Sequence, residues 1–498
     1  MRRRDLLASG AAAAGLGLLP RSARAAWGEA PATSTLDLLA PGDRAERCLE
    51  LFLYGGMATF ESFYVVPEYG TSDNPDPALR NSQWHLFSGD HANTFNACNF
   101  GPSSDWLTPF ASDSLGYEVN LGPLTTAFKS RPDLLARLRV VVIRHDFEPH
   151  EAAIPYMMTG LRLGNPRMSG LGAHIQRYWK DRDTTGRVIP WSYVFSPVAN
   201  DQYNTHTAAA VGLQPGSARP LKLTASASMD LASLIGRLNI DDDDTRLNAY
   251  LTHLADQELA RYVDPTSGSP LRSRVLADHD FAMRSLVNAR SLQEVLSGDL
   301  FAVGDGTACG AAGQDVSAMS LRAGVSLLTH PTAPARYVNV IDGGFPFYGG
   351  LAYDTHSAHL DTHARTLHHL LKTLAERINE PAEGDPTKLD LDDTLILINA
   401  EFGRSPTAQS SGGTNHFPHG MVAVMIGGPV QPGITGAIGP DGYAVEYLNP
   451  SEYRAGALAA LGIYPFSVES FAVGDLQSAS DEQSGLQFLN ETVLGRAP

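Results

Sequence analysis

Cysteine is nearly missing from this sequence. Three occur in 498 residues, Cys48, Cys98 and Cys309, too few for a four-cysteine zinc site or an iron–sulfur cluster. They permit one internal disulfide at most, and the expectation from sequence is three small buried side chains rather than a bridge. Also missing are a Gly-x-Ser-x-Gly elbow and a glycine-rich loop ending in Lys-Ser/Thr, so neither serine-hydrolase nor P-loop chemistry is signalled. No apolar run beyond the first twenty-five residues is long enough to cross a bilayer. Positive charge is short as well, with 37 Lys and Arg against 54 Asp and Glu. Such a surface repels nucleic acid and anionic lipid, but a bound divalent cation can reverse the field locally, so a small anionic substrate is not excluded.

The chain opens with Arg2-Arg3-Arg4-Asp5-Leu6-Leu7, an Ala/Gly/Leu run and Ala23-Arg24-Ala25. Paired arginines, a short apolar core and a small-residue cleavage pattern predict a twin-arginine export signal over 1–25. The mature product is then periplasmic or secreted, soluble, and has no integral membrane segment. Losing five arginines and one aspartate with the signal takes the net charge from −17 to −21. Residues 26–46 read as a linker and 47–498 as one α/β domain.

Strand patterns at Cys48–Tyr54, Val140–Ile143, Trp191–Phe195, Arg336–Ile341, Thr394–Asn399 and Met421–Ile426 alternate with helical patterns at about 133–138, 151–159, 170–179 and 357–378. Apolar strands separated by helices predict a mostly parallel, buried sheet. A helical insertion is expected at about 226–300. The acidic run Asp241–Asp244 inside it reads as a solvated loop, since it lacks the glycine and distal glutamate of a calcium loop.

Eight of the sixteen histidines fall between His330 and His419. Asp354 and His356 share a loop after a strand, and a carboxylate beside an imidazole suits zinc, manganese or iron better than calcium. Glu401 follows an apolar strand directly, with Arg404 three residues on, placed either to pair with it or to bind an anionic group. His416 and His419 arrive on a glycine-rich loop just before another strand. His359 and His363 lie four apart on a predicted helix, where supporting positions are expected rather than metal ligands. His145-Asp146 and His150-Glu151 lead from a strand end into a helix, a good place for an anion.

Together, Leu53-Tyr54-Gly55-Gly56, His150 to Gly160, Asp354-Thr355-His356-Ser357, Glu401-Phe402-Gly403-Arg404 and the histidine loop ending in Gly427-Gly428 resemble an exported bacterial family. It is known as domain of unknown function fifteen-oh-one, and it resembles the alkaline phosphatase and sulfatase superfamily. The resemblance runs from about Arg47 to Leu461. It implies a three-layer alkaline-phosphatase-like fold, with metals at the C-terminal edge of a mostly parallel sheet and a nucleophile between them. By that resemblance Asp354, His356 and His416 hold one ion and Glu401 stands at a second; His419, the second imidazole of the glycine-rich loop, is a further candidate ligand on its own residues. The chain departs from the superfamily in two places. A metal-binding aspartate is expected after the first strand, where this chain reads Gly55-Gly56-Met57-Ala58-Thr59 with Glu61 the nearest carboxylate. Counting ten residues back from Gly160 to the nucleophile's position reaches His150. Asn415 also stands where relatives carry aspartate.

The function expected from the sequence is a metal-dependent hydrolase of small anionic phosphate or sulfate esters, using zinc or manganese, one ion or two. His150, Glu401 and Arg404 are its candidate catalytic residues. A non-catalytic metal- or ligand-binding protein on the same fold is the alternative, and an iron-dependent oxidoreductase a third.

Overall fold

The computed structural model describes residues 27–31, 38–70, 92–180, 298–331, 334–344, 353–409 and 412–496, together with two strands and a few single positions between 181 and 297. The stretch expected to be an export signal, the acidic run 241–244 and nearly all of the expected helical insertion lie outside the described residues.

Eight strands form one sheet: β1 (Arg47–Leu53), β2 (Leu138–Ile143), β3 (Ser192–Ser196), β4 (Leu221–Thr224), β5 (Tyr337–Asp342), β6 (Thr394–Ala400), β7 (Met421–Ile426) and β8 (Gly433–Thr435). Their order across the sheet is β8-β2-β7-β6-β1-β5-β3-β4. The sheet is parallel except for β7, which runs antiparallel to both neighbours. That exception has a local cause. The chain returns from β6 to β7 through a connection whose described residues form the two-residue ribbon Gly403–Arg404 with His416–Phe417 and no crossover helix, the usual means of a parallel return.

Strand residues are apolar on both faces because both faces are covered. Leu49, Leu51 and Leu53 of β1 enter one core with α3 (Val316–Leu328) and with α4, which runs as His359–His363, a wider π turn Ala364–His368, and His369–Glu376. Cys48 and Phe52 enter the other core with α1 (His150–Thr159), α2 (Leu171–Lys180) and α5 (Pro450–Ala460). Gly160 ends α1 at φ 73°, the left-handed turn that glycine makes at low cost.

Two of these helices, α3 and α5, are absent from the reading above. The start of α5 is nevertheless written in the sequence as Asn449-Pro450-Ser451-Glu452, a capping box with proline at the first helical position. Glu50 is the one charge on β1 that points into a core. It accepts from Arg454 Nη2 at 2.7 Å, Tyr337 Oη at 2.6 Å and Asn399 Nδ2 at 3.0 Å. Burial raises its pKa, and Arg454 with the other donors outweighs this and holds the carboxyl below its usual range.

The expectation of three unbridged cysteines is corrected. Cys98 and Cys309 form a disulfide across 211 residues, and Cys48 alone stays free and buried. A pairing at that separation is decided by which loops tertiary packing brings together, and cysteine spacing holds no trace of it. Among the described residues, no helix is long and apolar enough to cross a membrane.

Candidate metal centre

Parallel strands deliver their following loops to one edge, and here four loops meet there. After β1 the chain turns through Gly55 and Gly56 at φ 109° and 106°. A Cβ on Gly55 would stand 2.1 Å from the Asp354 amide, so only glycine lets the Asp354 loop close over this turn. Gly413 does the same for the histidine loop, since a Cβ there would stand 2.0 Å from the His356 carbonyl.

Asp354 is the hub of this edge. Its Oδ1 lies 2.9 Å from His416 Nε2, 3.0 Å from His356 Nε2 and 2.9 Å from Arg404 Nη1, and its Oδ2 lies 3.4 Å from His150 Nε2. His416 Nε2 and His356 Nε2 are themselves 3.3 Å apart. Hydrogen-bond roles fix the tautomer of His416. Its Nδ1 donates to the Glu148 carbonyl at 3.0 Å, so in a neutral ring Nε2 holds a lone pair aimed at a carboxylate oxygen. Lone pair facing lone pair requires a proton or a cation between them. The donor atoms of His150, Asp354 and His416 all lie within 4.8 Å of one another, close enough to share one ion. His356, about half exposed at 47 %, closes the group on its solvent side.

His150 stands at the first position of α1. Its Nδ1 is 2.8 Å from Glu401 Oε1, and its ring stacks on Tyr54. Burial alone would lower its pKa, but the two flanking carboxylates raise it to about 10. Asp354 responds in the opposite direction. Burial would raise its pKa, while His150, His416 and Arg404 hold it far below the usual carboxylate range.

Glu401 is fully buried at the C-terminal end of β6. Its Oε1 accepts from both His150 and the Gly55 amide at 2.8 Å, and its Oε2 has no hydrogen-bond partner among the described residues. His145 Nε2 donates to the Glu401 carbonyl at 2.7 Å and Nδ1 accepts from the Phe147 amide, so this ring is neutral, with its pKa lowered by burial to about 4. Arg404 is buried and committed to protein acceptors. Its guanidinium reaches Thr414 Oγ1, the Gly55 and Thr414 carbonyls, and Asp354.

The structure thus brings together Asp354, His356, His416, His150, Glu401 and Arg404. His419 lies apart from them, stacked on Tyr443 with its Nε2 3.8 Å from Glu148 Oε1. Glu61, the first carboxylate after β1, meets His359 instead of the cluster. His368 packs on Phe100, and His369 pairs with Asp315 at 2.8 Å. The Glu148 carbonyl is the contributor that sequence reading missed, because a main-chain acceptor leaves no residue signal.

Residues 45–483 match the family described as protein of unknown function (DUF1501), and the chain belongs to that family. No curated protein and no solved structure matches it.

Proposed function

We propose that this member of the family is an exported, metal-dependent hydrolase of phosphate or sulfate esters, on an alkaline-phosphatase-like three-layer fold. The observation that carries the reading is the convergence of His150, His356 and His416 on the Asp354 carboxylate. The far nitrogens of His150 and His416 are already held by the Glu401 carboxylate and the Glu148 carbonyl. Histidines that bind metal usually donate their other N–H to such groups, which orients the ring and raises its basicity. Three imidazoles and one carboxylate suit zinc or manganese. In this arrangement Glu401 orients His150 and does not hold a second ion.

A cation bound there would polarise an ester oxygen and make water a stronger nucleophile. The chain's own groups supply the rest. Both nitrogens of His150 face carboxylates, so it offers no free nitrogen for attack, and with a cation bound its Nε2 would serve as a ligand in place of carrying a proton. Glu401 Oε2, buried and without a hydrogen-bond partner among the described residues, is the available proton acceptor. The N-terminus of α1, where His150 stands, favours the anionic group of an ester. The Cys98–Cys309 bond supports export, since disulfides persist in oxidising compartments.

One observation favours the alternative of a binding protein without turnover. Arg404, the cation nearest the cluster, is spent on protein acceptors and leaves the anionic group of an ester without a guanidinium partner. The experiment is turnover of an aryl phosphate and an aryl sulfate by mature protein loaded with zinc or manganese. Hydrolysis that disappears in Asp354→Asn and His416→Ala, with the fold intact by circular dichroism, is the expected result. Metal binding without turnover supports the alternative, and absence of both overturns the proposal.

A further inference from the structure

Behind the cluster runs a buried series of hydrogen bonds that the proposed chemistry leaves unused. Glu61 and His359 are both sealed from solvent, and Glu61 Oε2 lies 3.3 Å from His359 Nε2. A carboxylate accepts, so Nε2 bears the proton and Nδ1 presents a lone pair. Two hydroxyls reach that lone pair, Thr355 Oγ1 at 2.7 Å and Thr414 Oγ1 at 2.9 Å. Thr414 Oγ1 also accepts from Arg404 Nε at 3.2 Å, and Arg404 Nη1 donates to Asp354 Oδ1. The same two loops are joined through the backbone, where the Thr414 amide donates to the Thr355 carbonyl at 2.8 Å.

The placement of these threonines gives the series its meaning. Thr355 sits between Asp354 and His356, and Thr414 precedes His416 by two residues. One imidazole therefore grips both loops that carry the cluster, and through Thr414 it also sets the guanidinium that fixes Asp354. Only a side chain with a donor on one side and an acceptor on the other satisfies Glu61 and the hydroxyls together. One turn further along α4, His363 packs on His359 with ring centroids 4.5 Å apart, which restricts the ring.

We infer that His359, oriented by Glu61, is a positioning residue that clamps the Asp354–His356 loop to the His416 loop and so presets the distances among the cluster's donor atoms. The inference deepens the metal reading and rests on it for its affinity readout. Its loop-clamping half stands on hydrogen bonds alone.

The test uses mature protein and the variants His359→Leu, His359→Gln and Thr414→Val, with Co(II) as the probe. Two quantities are read, Co(II) affinity with its visible spectrum, and hydrogen exchange of the Thr414 amide after chelation. His359→Leu and Thr414→Val are expected to weaken Co(II) binding about 10- to 100-fold, alter the spectrum and speed exchange of the amide at position 414. His359→Gln, which keeps a donor and an acceptor, restores most of both. Variants that only melt earlier, with affinity, spectrum and exchange unchanged in the folded protein, overturn the inference. Should the unmodified protein bind no Co(II), the metal reading fails and exchange decides the clamp by itself. Faster exchange in the folded variants supports it, and unchanged exchange refutes it. Thr414→Val keeps the side chain's shape, so the test survives a His359→Leu protein that does not fold.

Discussion

In metal-free protein, the pH dependence of stability should trace the titration of His150. Its pKa rises from 6.5 to about 10 because Glu401 and Asp354 flank its two nitrogens, a difference equivalent to about 5 kcal/mol at most. The folded-state value lies above the unfolded one, so this stabilisation is complete below about pH 6.5 and is lost as the pH climbs towards 10. The steepest decline is about 1.4 kcal/mol per pH unit. His150→Gln keeps a neutral polar side chain and cannot take up the proton. Urea unfolding of chelator-treated protein between pH 6 and 10 should therefore show a gap between wild type and His150→Gln that is largest at pH 6 and closes near pH 10. Asp354 titrates in the acid range, where the same contacts stabilise above its unfolded pKa and fail as pH falls, so it leaves this window untouched. A gap that is constant with pH would refute the picture of a protonated His150 bridging two carboxylates. With a divalent cation present the trend should reverse, because the ion replaces the proton and binds more tightly as pH rises.

Gly55→Ala places a methyl group 2.1 Å from the Asp354 amide, so the Asp354 loop must shift and metal affinity should fall about tenfold or more by titration with zinc. Replacing Cys98 and Cys309 by serine releases a constraint spanning 211 residues, worth roughly 5 kcal/mol in the chain-entropy account. For a chain of this size that corresponds to a melting temperature lower by about 5 °C in calorimetry. Arg454→Met strands the Glu50 carboxylate in the core without its cation, and a loss of about 3–5 kcal/mol in urea unfolding is expected. Adding Glu50→Gln should recover part of that loss.

Six of the eight strands, and the edge that holds the cluster, were legible because most of those six are continuous apolar runs ending one or two residues before a glycine pair or a charged side chain, whereas β4 (Leu-Lys-Leu-Thr) and β8 (Gly-Ile-Thr) carry no such pattern. Leu53 before Gly55-Gly56 and Ala400 before Glu401 are the plainest cases, and a strand covered on both faces holds most of its polar groups past its end. The direction of β7 was less visible, since it depends on what fills the connection after Glu401 and not on the strand's own residues. Long-range partners could not be read at all. Nothing near Cys98 points to Cys309, nor anything near Glu61 to His359, 298 residues away. His150 was reached by counting back from Gly160, but its environment between Glu401 and Asp354 exists only after three loops have folded together. His419 shows the reverse error of sequence proximity. It lies three residues from His416, yet the turn between them points its ring to Tyr443.

One cation is expected among His150, Asp354, His356 and His416. Anomalous scattering from crystals of zinc- or manganese-loaded mature protein, with elemental analysis of the same sample, tests it most directly. One ion per chain is predicted, about 2.0–2.2 Å from Asp354 oxygen and from the Nε2 atoms of His150 and His416, and it should vanish in Asp354→Asn. Loaded protein with no ion at this edge, or an ion that survives Asp354→Asn undiminished, would contradict the account.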